Sequence, residues 1–218
     1  MIDLAPLTDA IVAGKRDDAT RLTGQAVGAG VPVGDVLKAL VAGIDRVGGR
    51  FQRCEIFVPE MLVSARAMKE AMAQLEPLLA GAGITPAFTA VIGTVQGDLH
   101  DIGKNLVATM WRGAHFRVVD LGTNVPADAF VAAARTHRAQ VVGVSALLTT
   151  TMPAMQQAVQ ALRTAGLEGT KVVVGGAPIT QAFADEIGAD GFAPDAAAAV
   201  TMVRTLLGAQ GGGTRDVP

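Results

Sequence analysis

Residues 89–105 read Thr89-Ala90-Val91-Ile92-Gly93-Thr94-Val95-Gln96-Gly97-Asp98-Leu99-His100-Asp101-Ile102-Gly103-Lys104-Asn105, and their order decides the fold. A short run rich in β-branched residues, Thr89 to Gly93, gives way to a polar loop. A helical pattern then opens near Gly103 and carries Leu106, Val107 and Met110 on its second and third turns. The same strand, loop and helix sequence repeats downstream. Strand-like runs cover Arg117 to Leu121, Gln140 to Val144, Lys171 to Val174 and Asp190 to Phe192, and helices begin near Pro126, Met152, Ile179 and Asp195. Five strands alternating with helices predict an α/β flavodoxin- or Rossmann-like domain with a five-stranded parallel sheet covered on both faces. In the flavodoxin-like order 2-1-3-4-5, the crevice lies at the carboxyl ends of strands one and three, so ligand chemistry is expected after strands one, three and four.

Upstream of Thr85-Pro86 the pattern is purely helical. Four helices are expected: Pro6 to Gly14; Asp17 to Val27 with Asp17 as N-cap; Val33 to Val47, stopping at Gly48-Gly49; and one from Pro59 toward Leu79. The division is therefore a helical cap domain over 1–84, an α/β domain over 85–207, and a Gly-rich tail over 208–218 expected to be flexible. Gly81-Ala82-Gly83-Ile84-Thr85-Pro86 has the composition of a linker between the halves.

Composition narrows the function classes. The 218 residues are 50% hydrophobic, enough for a proper core, and carry a net charge of −2 from 18 basic and 20 acidic side chains. That balance offers no electrostatic footprint for nucleic acid or for an anionic membrane surface. No stretch approaches the roughly 20 apolar residues that span a bilayer, and no basic segment followed by an apolar run opens the chain, so the cytoplasm is the expected location. Cys54 is the single cysteine, which excludes an internal disulfide or a thiolate metal cluster, and it receives no role.

The loop after strand one is rich in donors and ligands. It is not a nucleotide P-loop: Gly97 and Gly103 enclose five residues rather than four, and Asn105 rather than Ser or Thr follows Lys104. Asp98 and His100 are spaced so that the carboxylate can bond one imidazole nitrogen while the other faces a metal. On spacing alone such a pair reads more readily as solvated or capping. The loop after strand three supplies Ser145, Leu147, Thr149 and Thr151, and strand four ends in Gly175-Gly176. Separately, these threonines read as helix caps and these glycines as turn formers. Together they converge on the crevice that holds His100. His115 and His137 lie outside these elements and are expected at the surface or a strand edge, and Trp111 is expected to pack helix against sheet.

The constellation Asp98-x-His100-x-x-Gly103, then 41 residues, Ser145-x-Leu147, then 27 residues, Gly175-Gly176, resembles the cobalamin-binding domain of methionine synthase. More closely, it is similar to the stand-alone corrinoid proteins of methanol- and methylamine-type methyltransferase systems. The resemblance covers nearly the whole chain, because Phe51 with Phe57-Val58-Pro59-Glu60 and Ser64-Ala65-Arg66-x-Met68-Lys69 looks like the cap over the corrin's upper face. It implies cobalamin as cofactor, with His100 as lower axial ligand to cobalt in place of the cofactor's own dimethylbenzimidazole. Asp98 would bond that histidine and Thr151 would complete the relay, where methionine synthase carries a serine. Asp101, Ile102 and Gly103 would lie beneath the ring, and Ser145, Leu147, Thr149, Gly175 and Gly176 would line the slot for the nucleotide tail. Phe51 and Val58 would face the upper side.

The activity so implied is that of a methyl-carrier subunit rather than a complete enzyme. Cob(I)alamin would take a methyl group from a substrate-specific methyltransferase, and methylcobalamin would yield it to an acceptor methyltransferase using tetrahydrofolate or coenzyme M, with a reductive activation protein as further partner. Two alternatives fit less well. Cobalamin-dependent sensors carry a Trp and a Glu-His in the cap, whereas Trp111 is the single tryptophan and no histidine precedes His100. Small subunits of adenosylcobalamin mutases generally lack a helical cap.

Overall fold

The computed structural model describes residues 2–208; apart from Gly208, the expected tail lies outside them. Two compact units result, one built on the helices before Pro86 and one on the strands and helices from Ala87.

The first unit holds α1 (Ala5–Val12), α2 (Arg16–Gly28), α3 (Val33–Gln52) and α4 (Val58–Gly81). Their buried faces recur at helical spacing: Leu7 and Ile11 on α1; Val36, Leu40, Ile44 and Val47 on α3; Met61, Met68, Leu75 and Leu79 on α4. Small residues set the spacing between helices, and a Cβ on Gly43 of α3 would stand 2.7 Å from Ile11 Cβ. Two boundaries differ from expectation. The third helix runs through Gly48-Gly49 to Gln52, with Gly48 buried. Packing of its continuing face outweighs the roughly 1 kcal/mol each glycine costs relative to alanine. Asp17 is not an N-cap: Lys15 occupies that position without a side-chain cap, and Asp17 lies in the first turn, paired with Arg16 at 2.9 Å. There its charge favours the helix through the dipole instead.

The second unit is a five-stranded sheet of β1 (Thr89–Thr94), β2 (Arg117–Asp120), β3 (Val141–Ser145), β4 (Lys171–Gly175) and β5 (Gly191–Phe192). Its order is β2-β1-β3-β4-β5 with every pair parallel, the flavodoxin-like order. The connections contain α5 (Ile102–Gly113), α6 (Ala127–His137), α7 (Met152–Thr164) and α8 (Gln181–Glu186), and α9 (Ala196–Leu206) follows β5. Strand alternation sends Val142, Val144, Val172 and Val174 to one core with Phe130, Met155, Val159 and Leu162. On β3, Gly143 faces the other way, toward fully buried Trp111 of α5, and a Cβ there would meet the indole at 2.8 Å. His115 stands half-buried in the turn between α5 and the start of β2: its backbone is left-handed (φ 63°) and its Nε2 is buried. Burial lowers its pKa.

Register brings Thr94, Ser145 and Gly175 side by side at the carboxyl edges of β1, β3 and β4. The loops that leave this edge are the ones that build the site.

Candidate functional site

Asp98 is the centre of the site. It lies in the loop between β1 and α5 and is inaccessible to solvent, a position that is costly for a carboxylate unless its oxygens are bonded. Four donors meet it. Oδ1 accepts from the His100 backbone N–H at 3.0 Å and lies 2.8 Å from His100 Nδ1. Oδ2 accepts from the Leu147 backbone N–H at 2.7 Å and from Thr151 Oγ1 at 2.9 Å. Burial alone would raise the pKa, but the hydrogen bonds of Leu147, His100 and Thr151 outweigh it and hold the carboxyl well below the usual aspartate range.

An ionised Asp98 fixes the chemistry of His100. A carboxylate only accepts, so Nδ1 must carry the proton it donates, and the neutral ring then presents the Nε2 lone pair on its other edge. The His100 side chain is half exposed, so that lone pair is accessible to a ligand. Thr151, in the 3-10 turn Thr149–Thr151 that precedes α7, does not cap that helix through its side chain. Its hydroxyl lies 2.9 Å from both Asp98 Oδ2 and Leu148 O. It has one proton, and the charged oxygen is the stronger acceptor.

Three of the expected residues, Asp98, His100 and Thr151, are thus bonded into one unit, and Leu147 joins them through its backbone. The others are placed around it. Asp101 precedes α5, where its carboxylate accepts from Asn105 Nδ2 at 2.9 Å, and Ile102 and Gly103 open the helix. Ser145 ends β3 beside Gly175. Thr149 is exposed in the 3-10 turn. A Cβ on Gly103 would meet nothing within 4 Å, whereas one on Gly175 would stand 3.1 Å from Ala193 O, and one on Gly176 (φ 133°) would strike the Ala146 carbonyl. The glycine pair is therefore demanded by close approach of three loops of this chain, and Gly103 is not demanded by the protein. In the helical unit, Phe51 and Val58 are half-buried at the two ends of the α3–α4 connection.

Sequence reasoning missed Thr94, Asn124 and the Leu147 amide. Thr94 Oγ1, fully buried, donates to His100 O at 2.9 Å. Asn124 Oδ1 accepts from the Gly97 N–H at 2.8 Å, and its own N–H donates to Asp98 O at 3.0 Å. The signal available was the left-handed preference of Asn in the Gly122-Thr123-Asn124 turn, where Asn124 has φ 55°.

The donor set indicates what could bind. Among the described residues, no three His, Cys, Asp or Glu side chains gather as metal ligands, so a metal on His100 must bring most of its own ligands, as a macrocycle does. The loops around His100 also present apolar side chains to solvent: Leu99 and Ile102 are 74% and 79% exposed, and Leu147 and Leu148 41% each. A broad, partly apolar ligand would cover them. The residues fit a corrin.

Comparisons with known proteins agree. Residues 88–201 match the B12 binding domain family, and residues 4–76 match a second family of the same description. The chain is 41% identical over 210 residues to a corrinoid protein of Desulfitobacterium hafniense strain Y51, covering 94% of this chain and 97% of that one. It is 41% identical over 206 residues to the dimethylamine corrinoid protein of Methanosarcina barkeri, with the same coverage. Among solved structures, a cobalamin-binding protein from Desulfitobacterium hafniense DCB-2 superposes with a TM-score of 0.80 at 30% identity, covering 94% of this chain and 99% of that one. A chain of the methanol:cobalamin methyltransferase complex MtaBC from Methanosarcina barkeri does so with 0.81 at 31% identity, covering 95% and 80%. Among the described residues no helix is long and apolar enough to cross a membrane. With a helical unit and a Rossmann-like unit that each match a B12-binding family, the chain belongs to the cobalamin-binding corrinoid proteins.

Proposed function

We propose that this corrinoid protein holds cobalamin in the base-off form, with His100 as the lower ligand of cobalt, and carries a methyl group between two methyltransferases. One would be specific for the methyl donor, the other for an acceptor, tetrahydrofolate or coenzyme M, and a reductive activation protein would keep the carrier competent. The bound cofactor supplies a cobalt centre able to accept and give up a methyl group. The observation that carries this reading is the pairing of Asp98 with His100 Nδ1, which turns Nε2 outward as a lone-pair donor.

The chain's own residues then have defined tasks. His100 would hold the metal through Nε2, and Asp98 orients the ring through Nδ1. Thr151 and the Leu147 amide hold Asp98 ionised. Ser145, Thr149, Gly175 and Gly176 border the place assigned to the nucleotide tail, and Phe51 and Val58 are assigned to shielding apolar contacts. Similarity to a chain of the MtaBC complex supports methyltransferase partners.

The test compares wild type with His100→Ala after loading with cobalamin. Nitrogen hyperfine structure from histidine in the cob(II)alamin spectrum should be present in the first and absent in the second. The same spectrum in both would reject His100 as the ligand.

A further inference from the structure

Outside the Asp98, His100 and Thr151 unit, one side chain reaches the His100 loop from a separate strand connection. Asn124 lies in the β2–α6 loop, and its Oδ1 accepts the Gly97 N–H at 2.8 Å while its N–H donates to Asp98 O at 3.0 Å. It therefore brackets the peptide that leads into Asp98. The bracket is itself anchored to β1: Thr94 N–H donates to Gly122 O at 2.9 Å, and Val125 N–H donates to Thr94 O at 2.9 Å. Thr94 Oγ1 in turn donates to the His100 carbonyl. The two residues preceding Leu99-His100 and the carbonyl of His100 are thus held to one frame. Gly97 (φ 83°) and Asn124 (φ 55°) both adopt left-handed backbone, which Gly enters freely and Asn or Asp more readily than most other residues. Asparagine at 124 supplies conformation and acceptor together, and glycine would supply the conformation alone.

We infer that Asn124 is a positioning residue for His100: its Oδ1 holds the loop that would present Nε2 of His100 to the metal. The inference rests on His100 being the ligand. A loop freed at Gly97 keeps the Asp98–His100 pair but lets the pair move as a body, so ligation weakens while the fold persists.

The experiment uses Asn124→Gly, which keeps the backbone conformation and deletes the acceptor, and Asn124→Asp, which keeps both; His100→Ala is the control. In apoprotein, amide exchange at Gly97 should accelerate at least about 10-fold in Asn124→Gly and stay near wild type in Asn124→Asp. With cobalamin, Asn124→Gly should raise the Kd about 10-fold and reduce the histidine-ligated fraction of the cob(II)alamin spectrum, as losses of supporting contacts at metal sites do. Asn124→Asp should restore both. Wild-type ligation and affinity in Asn124→Gly, in a series where His100→Ala abolishes ligation, would overturn the positioning role and leave the ligand reading standing. An Asn124→Asp protein as impaired as Asn124→Gly would also overturn it, because the acceptor would then not be what holds the loop. An unchanged His100→Ala spectrum would instead reject the ligand reading, and this inference with it.

Discussion

Lys104 Nζ lies 2.6 and 2.7 Å from the two carboxylate oxygens of Asp120, and 2.6 Å from Asn105 Oδ1, with 2% of the lysine side chain exposed. This buried cation ties the first turn of α5 to the end of β2. Breaking a buried pair by removing one partner costs about 3–5 kcal/mol. Asp120 retains 24% exposure, so Lys104→Met should fall at the lower end. Lys104→Met combined with Asp120→Asn should recover part of the loss, because the carboxylate charge that faced Lys104 is removed with it. Urea unfolding of both proteins is the check, and equal losses would mean the ion pair itself contributes little.

Acid should unfold the apoprotein partly through Asp98. Its pKa in the fold lies below the ordinary 3.8, so as pH drops the unfolded chain takes up a proton that the folded chain does not. The stabilisation is complete near neutrality, begins to erode about one pH unit above the ordinary value, and declines further as pH falls. Asp98→Asn should be less stable than wild type at pH 7 and show a shallower loss between pH 5 and pH 3. Unfolding midpoints across that range decide it; parallel curves would rule Asp98 out as a source of acid lability.

Thr151 should tolerate serine but not valine. Thr151→Val is nearly isosteric but removes one of the two donors to Asp98 Oδ2 and leaves the Leu147 N–H in place, at a cost of about 1.5–3 kcal/mol for a lost hydrogen bond to a charged group. Thr151→Ser keeps the hydroxyl and should stay within about 1 kcal/mol of wild type, the difference being one methyl group. Thermal unfolding of the apoprotein separates the two.

Gly103 and Gly176 should respond to alanine in opposite directions. Gly103→Ala has open space for its Cβ and sits in the first turn of α5, so apoprotein stability should rise by up to about 1 kcal/mol. Cobalamin affinity should fall if, as proposed, the corrin is held against that backbone. Gly176→Ala forces a Cβ into the Ala146 carbonyl at φ 133° and should destabilise the apoprotein by more than about 2 kcal/mol. Calorimetry with and without cobalamin reads both. Undiminished cobalamin binding in Gly103→Ala would contradict the ligand's placement against α5.

Most of the fold was legible because parallel βα units leave β-branched runs and helical spacings that alternate plainly along the chain. The boundary of α3 was not, since glycines at 48 and 49 signal a stop that packing of the buried face overrides. In the site, Asp98, His100 and Thr151 could be found from residue type and family spacing. Thr94 could not, and Asn124 was legible only as a left-handed turn residue: both act through bonds to backbone atoms, 6 and 27 residues away in sequence, and no periodicity records such a bond. The reason for Gly176 was hidden likewise, because the backbone it approaches belongs to another loop.

The four bonds at Asp98 are satisfied within the protein alone, drawn from the β1–α5 and β3–α7 connections. An ordered receptor of this kind has already met the entropic cost of fixing its loops during folding. Cofactor capture should then need little further ordering on this face, and the heat-capacity change on binding should reflect the apolar area covered rather than segments folding around the ligand.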